Sequence, residues 1–313
     1  MKEACEFVSI GITNKKFDDE LTEIRCFEKH IQSNNGYVYM SHPLDKTTLG
    51  NFSVSSNKLL AALKNCEWDP KIKITDSNII LNKDNKRFQL PINNELKYFD
   101  LPGGKYKKVK PGLINVIKSL FPLISEDASR PWSQTMCVND GYVYVTNNVI
   151  IGRQPYKMKN CLLPIQVLSA MIKVNKDPVK VQIRDQYIVF VYENDSWILG
   201  KLPAEGWPKE AFLVYDIYDE DNMKEFSDTF KSGINSMSGF VTDDVVVFEG
   251  GILKTVNDSV VVRDIKQEGK AAFSYTMIKK VIENFHSVDF SCYPSPMSIK
   301  SDSTEGLFVG MIF

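Results

Sequence analysis

The sequence predicts an α+β protein built from three copies of one domain, each with two helices backed by antiparallel sheets. Two patterns predict it. One amphipathic helix recurs three times at a nearly constant interval, and each occurrence is followed by period-two strands joined by tight turns. The length agrees, because 313 residues are more than one continuous core usually holds.

In the first copy a short segment, KEACEFVSI, precedes TEIRCFEKHIQSNNGYVYMSH, where Asn34-Asn35-Gly36 is a hairpin signal. A helix follows over Phe52 to Cys66, with Ser55 or Ser56 placed to cap it and Leu59, Leu60 and Leu63 at helical spacing. Strands KIKITDSNIILNKDNKRFQLPI come next, turning at Asp76-Ser77-Asn78 and Asp84-Asn85. The second copy has a helix over Gly112 to Ile124, then TMCVNDGYVYVTNNVIIGR with the hairpin signal Asn139-Asp140-Gly141. Its second helix spans Leu162 to Val174, with Pro164 at the start and Ile165, Leu168, Met171 and Ile172 on the apolar face. Strands VKVQIRDQYIVFVYENDSWILGKL follow.

The third copy has a helix over Asp221 to Gly233, then FVTDDVVVFEGGILKTV. A helix over Phe273 to Phe285 follows, with Ser274 as cap and Met277, Ile278, Val281 and Ile282 apolar, and closing strands run to Phe313. The equivalent helix starts Ser55, Pro164 and Ser274 lie 109 and 110 residues apart. The expected boundaries are therefore 1–105, 106–209 and 210–313.

Composition narrows the function classes. With 43% hydrophobic and 25% charged residues and no low-complexity tract, the chain reads as globular nearly end to end. The N-terminus has no signal-peptide core and no membrane-spanning apolar run, and the six scattered cysteines form no CxxC pair, so reduced thiols in a cytoplasm are expected. A net charge of −1 argues against coating nucleic acid over the whole surface but allows one basic face. No phosphate-binding loop, dinucleotide turn, nucleophile elbow or HExxH pair occurs, and His30, His42 and His286 are not at metal-ligand spacing. The run Asp216 to Asp221 reads as acids approaching a helix N-terminus. No enzyme, cofactor or metal is expected.

Four segments, in order and at domain-sized spacing, make the whole chain resemble the bacterial β sliding clamps, the processivity subunits of DNA polymerase III. KRFQLP (Lys86 to Pro91) is similar to the strand closing that family's first domain. SEDASRPWSQ (Ser125 to Gln134) resembles the segment after the first helix of domain two, including Arg130. EGWPK (Glu205 to Lys209) is similar to the hinge into domain three, and PSPMSIKSDSTEGLFVGMIF to the family's ending. The chain departs at Asn147-Asn148-Val149-Ile150, where the family has Asp-Gly-His-Arg, and in lacking a proline in the last strand. It therefore looks like a divergent clamp, and an origin in a phage or mobile element is expected.

The resemblance implies a ring: two subunits of three domains, joined head to tail around duplex DNA, tethering a polymerase without chemistry of their own. It places Phe88 and Leu90 against Phe226 and Phe230 of the other subunit, positions equally compatible with core packing. It directs Lys58, Lys64, Lys118, Arg130, Lys173, Lys224, Lys231, Lys279 and Lys280 toward DNA, which sliding contacts without reading sequence. The clamp loader and polymerase would dock a short apolar peptide in a pocket of Trp132, Thr146, Val149, Ile151, Pro208, Leu213, Val309 and Met311, with Pro294 and Pro296 near its rim. The alternative is a clamp-like adaptor or decoy that binds such peptides without encircling DNA.

Overall fold

The computed structural model describes residues 1–12, 19–44, 49–95, 98–256 and 259–312. Residue Phe313, the expected end of the last strand, lies outside them. The first repeat runs α1 (Lys2–Ser9), β1 (Glu23–Phe27), β2 (His30–Asn34), β3 (Val38–Pro43), β4 (Phe52–Ser55), α2 (Ser56–Asn65), β5 (Lys71–Ile74), β6 (Asn78–Lys83) and β7 (Lys86–Pro91). A two-residue strand, β8 (Lys107–Lys108), leads into the second: α3 (Leu113–Leu120), β9 (Thr135–Asn139), β10 (Tyr142–Thr146), β11 (Ile150–Pro155), β12 (Cys161–Pro164), α4 (Ile165–Val174), β13 (Lys180–Ile183), β14 (Tyr187–Val191) and β15 (Trp197–Lys201). After a short helix α5 (Glu210–Leu213) and a second two-residue strand β16 (Lys224–Glu225) comes the third: α6 (Asp228–Ser236), β17 (Val245–Glu249), β18 (Ile252–Thr255), β19 (Val261–Val262), β20 (Lys270–Ser274), α7 (Tyr275–Asn284), β21 (Ser287–Val288), β22 (Met297–Lys300) and β23 (Glu305–Phe308).

Strand order makes the repeat explicit. One eight-stranded antiparallel sheet runs β4-β1-β2-β3-β15-β14-β13-β8 and the other β12-β9-β10-β11-β23-β22-β21-β16. Each joins the first four strands of one repeat to the last three of the next. The remaining sheets are the same two halves unjoined, β20-β17-β18-β19 and β7-β6-β5.

The joined sheets explain why the chain divides into compact units that cut across sequence order. Residues 1–114 with 166–202 form one unit, and 115–165 with 203–313 the other. In the first unit Ile198 stands opposite Met40 in the β15·β3 pair, both fully buried. In the second, Ile150 stands opposite Phe308 in β11·β23, again fully buried. Close packing of α4 on β15 requires Gly200, where a Cβ would fall 2.0 Å from the Val167 side chain.

The second helix of each repeat starts later than its hydrophobic pattern suggests, because the first residues of each pattern belong to β4, β12 and β20. Ser55 is the N-cap of α2 but its side chain accepts no capping bond, whereas Ser274 caps α7 by accepting from the Met277 amide (3.2 Å). Pro164 ends β12 immediately before α4.

The helix expected over residues 221–233 is displaced. Residues 224–225 are strand β16, paired with β21, and α6 begins only at Asp228, with Ser227 accepting from the Phe230 amide. The acidic run before it is not a helix approach. Asp219 accepts from the Asp221 amide (3.0 Å), and Glu220 is paired with Lys300.

Asp244 fastens the start of α7, accepting from the Thr276 amide (2.8 Å), the Thr276 hydroxyl (2.7 Å) and the Ser274 hydroxyl (2.5 Å). Burial works to raise its pKa, but these bonds outweigh it and hold the carboxyl below the usual aspartate range. The stability this confers is present above the ordinary aspartate pKa and is lost as pH falls through the lowered one. Asp244→Asn is expected to cost about 1 kcal/mol near neutral pH. In urea melts the gap from wild type should close below roughly pH 4; a gap that persists in acid would refute the assignment.

Candidate functional site

The β10–β11 hairpin builds one wall of a cleft in the second unit. Asn148 takes a left-handed backbone (φ 73°) at its tip, and Asn147 Oδ1 accepts from the amides of Val149 (3.1 Å) and Ile150 (2.8 Å). Thr146 Oγ1 donates to the Ile150 carbonyl (2.8 Å) and accepts from the Asn148 amide (3.0 Å). The Val309 amide donates to the Val149 carbonyl (2.9 Å), carrying the ladder past β23 and setting Val309 beside the hairpin. The cleft holds about 230 Å³ and is mostly apolar, with Trp132, Val149, Ile151, Val214, Leu307 and Val309 on its walls.

Four of its lining residues, Trp132, Ile151, Ala211 and Val214, pack against an aromatic cluster. Trp207 stacks on Phe212 (5.9 Å), meets Trp132 edge to face (5.5 Å) and donates from Nε1 to Thr135 Oγ1 (3.0 Å). Arg153 on β11 ties this cluster to β23: its guanidinium lies 4.0 Å from the Tyr215 ring centre and 4.7 Å from that of Tyr142, while Nε bonds Glu305 (2.7 Å). Burial works against the Arg153 charge, yet the Glu305 carboxylate outweighs it and raises the pKa above the ordinary value. Burial also raises the Tyr215 phenol well above its usual range, so that side chain stays neutral. An apolar cleft backed by an aromatic cluster suits insertion of apolar side chains rather than chemistry.

Of the residues expected in the pocket, Trp132, Thr146, Val149, Ile151, Pro296 and Val309 line the cleft. Pro208, Leu213, Pro294 and Met311 are not among its lining residues. Leu213 is 61% exposed while Val214, one residue on, faces inward, because the chain turns helically through this segment. Met311 is held elsewhere, its amide donating to the Ala272 carbonyl (2.8 Å) and its carbonyl accepting from the Tyr293 hydroxyl (2.6 Å). Arg130, expected to face DNA, is among the cleft's lining residues. Sequence reasoning missed Asn148, Ile150, Ala211, Val214 and Leu307. For Ala211 and Val214 the signal was the apolar run beginning three residues after Pro208.

Phe226 and Phe230 cannot face a second subunit, being 3% and 0% exposed. They stack on one another (5.7 Å), and Phe230 also meets Phe248 and Phe290. Leu90 is buried and Phe88 half-buried on β7. Of the basic residues, Lys58 and Lys64 are exposed on α2, Lys118 on α3 and Lys173 on α4, with Lys231 half-buried on α6 and Lys279 and Lys280 on α7. Lys224 lies on β16, not a helix, and pairs with Glu268. Among the described residues no group of three or more His, Cys, Asp or Glu is placed to hold a metal, and no helix is long and apolar enough to cross a membrane.

No family model matches the sequence, and no curated protein matches it. Solved structures do. A protein assigned as a DNA polymerase III beta subunit in Eubacterium rectale superposes with a TM-score of 0.82 at 14% identity, covering 99% of this chain and 97% of its own. The Bacillus subtilis DNA polymerase sliding clamp gives 0.78 at 13% identity, covering 99% and 96%. The Helicobacter pylori beta clamp bound to a DNA ligase peptide gives 0.77 at 12%, covering 100% and 97%. From end to end, the fold of this chain is that of the DNA polymerase III beta sliding clamps.

Proposed function

We propose that this chain is a sliding clamp, a non-enzymatic processivity factor that closes around duplex DNA as a head-to-tail homodimer of three-domain subunits (1–105, 106–209 and 210–313). The unjoined half-sheets carry this reading. In both joined sheets the third strand of a repeat pairs with the last strand of the next, β3 with β15 and β11 with β23. By the same rule β19 would pair with β7, and both are terminal strands of their sheets. A second copy supplies the missing partner at each, and the heterologous contact closes after two subunits.

The register follows from equivalent hydrogen bonds. Asn35, Asn147 and Thr255 each donate an amide across their hairpin, to Val38, Ile150 and Val260. Val38 stands opposite Gly200, whose equivalent on β7 is Leu90. Leu90 would therefore face Val260, with Gln89 opposite Val261 and Phe88 opposite Val262. Phe88 and Leu90 thus keep the interface role the resemblance gave them, and β19 replaces Phe226 and Phe230.

Lysines on α2, α3, α4, α6 and α7 would meet phosphates, where contact without base readout permits sliding. The Val149–Val309 cleft would take a short apolar peptide of a polymerase or loader. An adaptor that binds peptides without encircling DNA has no comparable use for the two unjoined edges.

Paired cysteines at Gln89 and Val261 test the ring, because cross-strand Cα spacings suit a disulfide. Oxidation should give a covalent dimer that stays on nicked circular DNA in detergent and slips off linear DNA. A monomer at micromolar concentration, or no cross-link, would sink the proposal. For the cleft, fluorescence anisotropy with short leucine- and phenylalanine-bearing peptides should show Val309→Glu and Trp132→Ala weakening binding at least ~30-fold. Leu213→Ala should leave it unchanged. Peptide affinity indifferent to Val309→Glu places the docking site elsewhere.

A further inference from the structure

The outer ends of the two joined sheets are covered in the same way. In the first unit β8 pairs with β13, Lys108 opposite Lys180 and Lys107 opposite Val181, and the Val109 amide donates to the Val179 carbonyl (3.1 Å). In the second unit β16 pairs with β21, Glu225 opposite Ser287 and Lys224 opposite Val288, and the Phe226 amide donates to the His286 carbonyl (2.9 Å). The equivalent strand of the first repeat is β5, and among the described residues it ends its sheet with no such cover. Where Val181 and Val288 are buried, Ile72 is half-exposed, and Ile74 two residues on is 37% exposed.

We propose that β5 is a strand-addition site for an extended, acidic–apolar segment of a partner protein. The two covered ends specify the occupant. It is a three-residue stretch running antiparallel to β5, its first residue opposite Ile72, its second opposite Lys71, and its third donating an amide to the Pro70 carbonyl. The same ladder leaves the Ile72 amide as the outward donor on β5. The third residue is apolar in both covered ends, Val109 and Phe226. The first-unit cover sets Lys108 opposite Lys180, so one lysine pair is tolerated at this position. On β5, Lys71 and Lys73 are both exposed and share one face, so a carboxylate opposite Lys71 is favoured over a basic residue. Lysines on an open edge also discourage indiscriminate pairing, leaving recognition to a segment of complementary charge. The inference rests on sheet order and on the charge of β5, and stands whether or not the chain closes into a ring.

The test is hydrogen exchange at the Ile72 amide, with an eight-residue peptide of alternating valine and glutamate against its valine–lysine counterpart. The acidic peptide should slow exchange at Ile72 and bind about fivefold or more tightly than the basic one. The exposed double change Lys71→Glu with Lys73→Glu should reverse that order with an unaltered thermal melt. Exchange unmoved by either peptide, or equal binding of both, overturns the proposal. Protection in the free protein that vanishes on dilution also overturns it, because a second copy of the chain is then the occupant.

Discussion

Pairing of the third strand of one repeat with the last strand of the next is the contact on which the rest of this structure depends. Each repeat on its own offers four strands and three strands that form no common ladder, so each half keeps an open edge. Joining them across repeats extends each ladder and lets one apolar layer run through it, as at Ile198 opposite Met40 and Ile150 opposite Phe308. Slipping either junction by one residue would turn that layer to solvent, so the register is strongly fixed. The cleft follows from the same contact. One wall is the β10–β11 hairpin of the second repeat, another is Leu307 and Val309 of the third, and the amide of Val309 locks them at fixed separation.

Arg153 shows how that junction holds a charge in a largely apolar setting. A guanidinium taken partly out of water is costly unless its donors and its face both find partners. Here Glu305, four residues before Val309 on the partner strand, supplies the carboxylate, and Tyr142 and Tyr215 supply aromatic faces. Lysine could supply the charge but not the planar group lying on two rings. The residue thereby couples β11, β23 and the segment carrying Ala211 and Val214, three of the elements that shape the cleft.

Much of the architecture was legible because its signals are local. The turn residues at 34–36 and 139–141 marked their hairpins, and the apolar spacing of α2, α4 and α7 marked the helices and the interval of the repeat. What was not legible depends on long-range pairing. Residues 221–226 have a helix-like composition, yet β21 recruits Lys224 and Glu225 into a sheet and delays α6 to Asp228. Phe226 and Phe230 carry no label separating an interface from a core; only the packing of Phe248, Phe273 and Phe290 around Phe230 decides it. The resemblance puts Met311 in the pocket beside Val309, but its amide and carbonyl are taken by Ala272 and Tyr293, which draw it away from the cleft lining.

The edges differ in how they are protected. An open edge is a template for any chain that can extend beside it, and natural sheets close, cover or charge theirs. This chain does all three. It closes β3 and β11 internally and covers β13 and β21 with two-residue strands. On the two terminal strands of the three-stranded sheet it places Lys71 and Lys73 on β5 and Lys86 and Arg87 on β7. Charge is a selective barrier rather than an absolute one, since it excludes basic and neutral strands far more than a complementary surface. Val261 and Val262 on β19 carry no such charge, so in the proposed ring β19 would gain most from a partner, and β7, with Phe88 and Leu90 between its basic end and Pro91, would receive it. The distribution of charge along the uncovered strands thus distinguishes an edge kept for one defined partner from one left open to all.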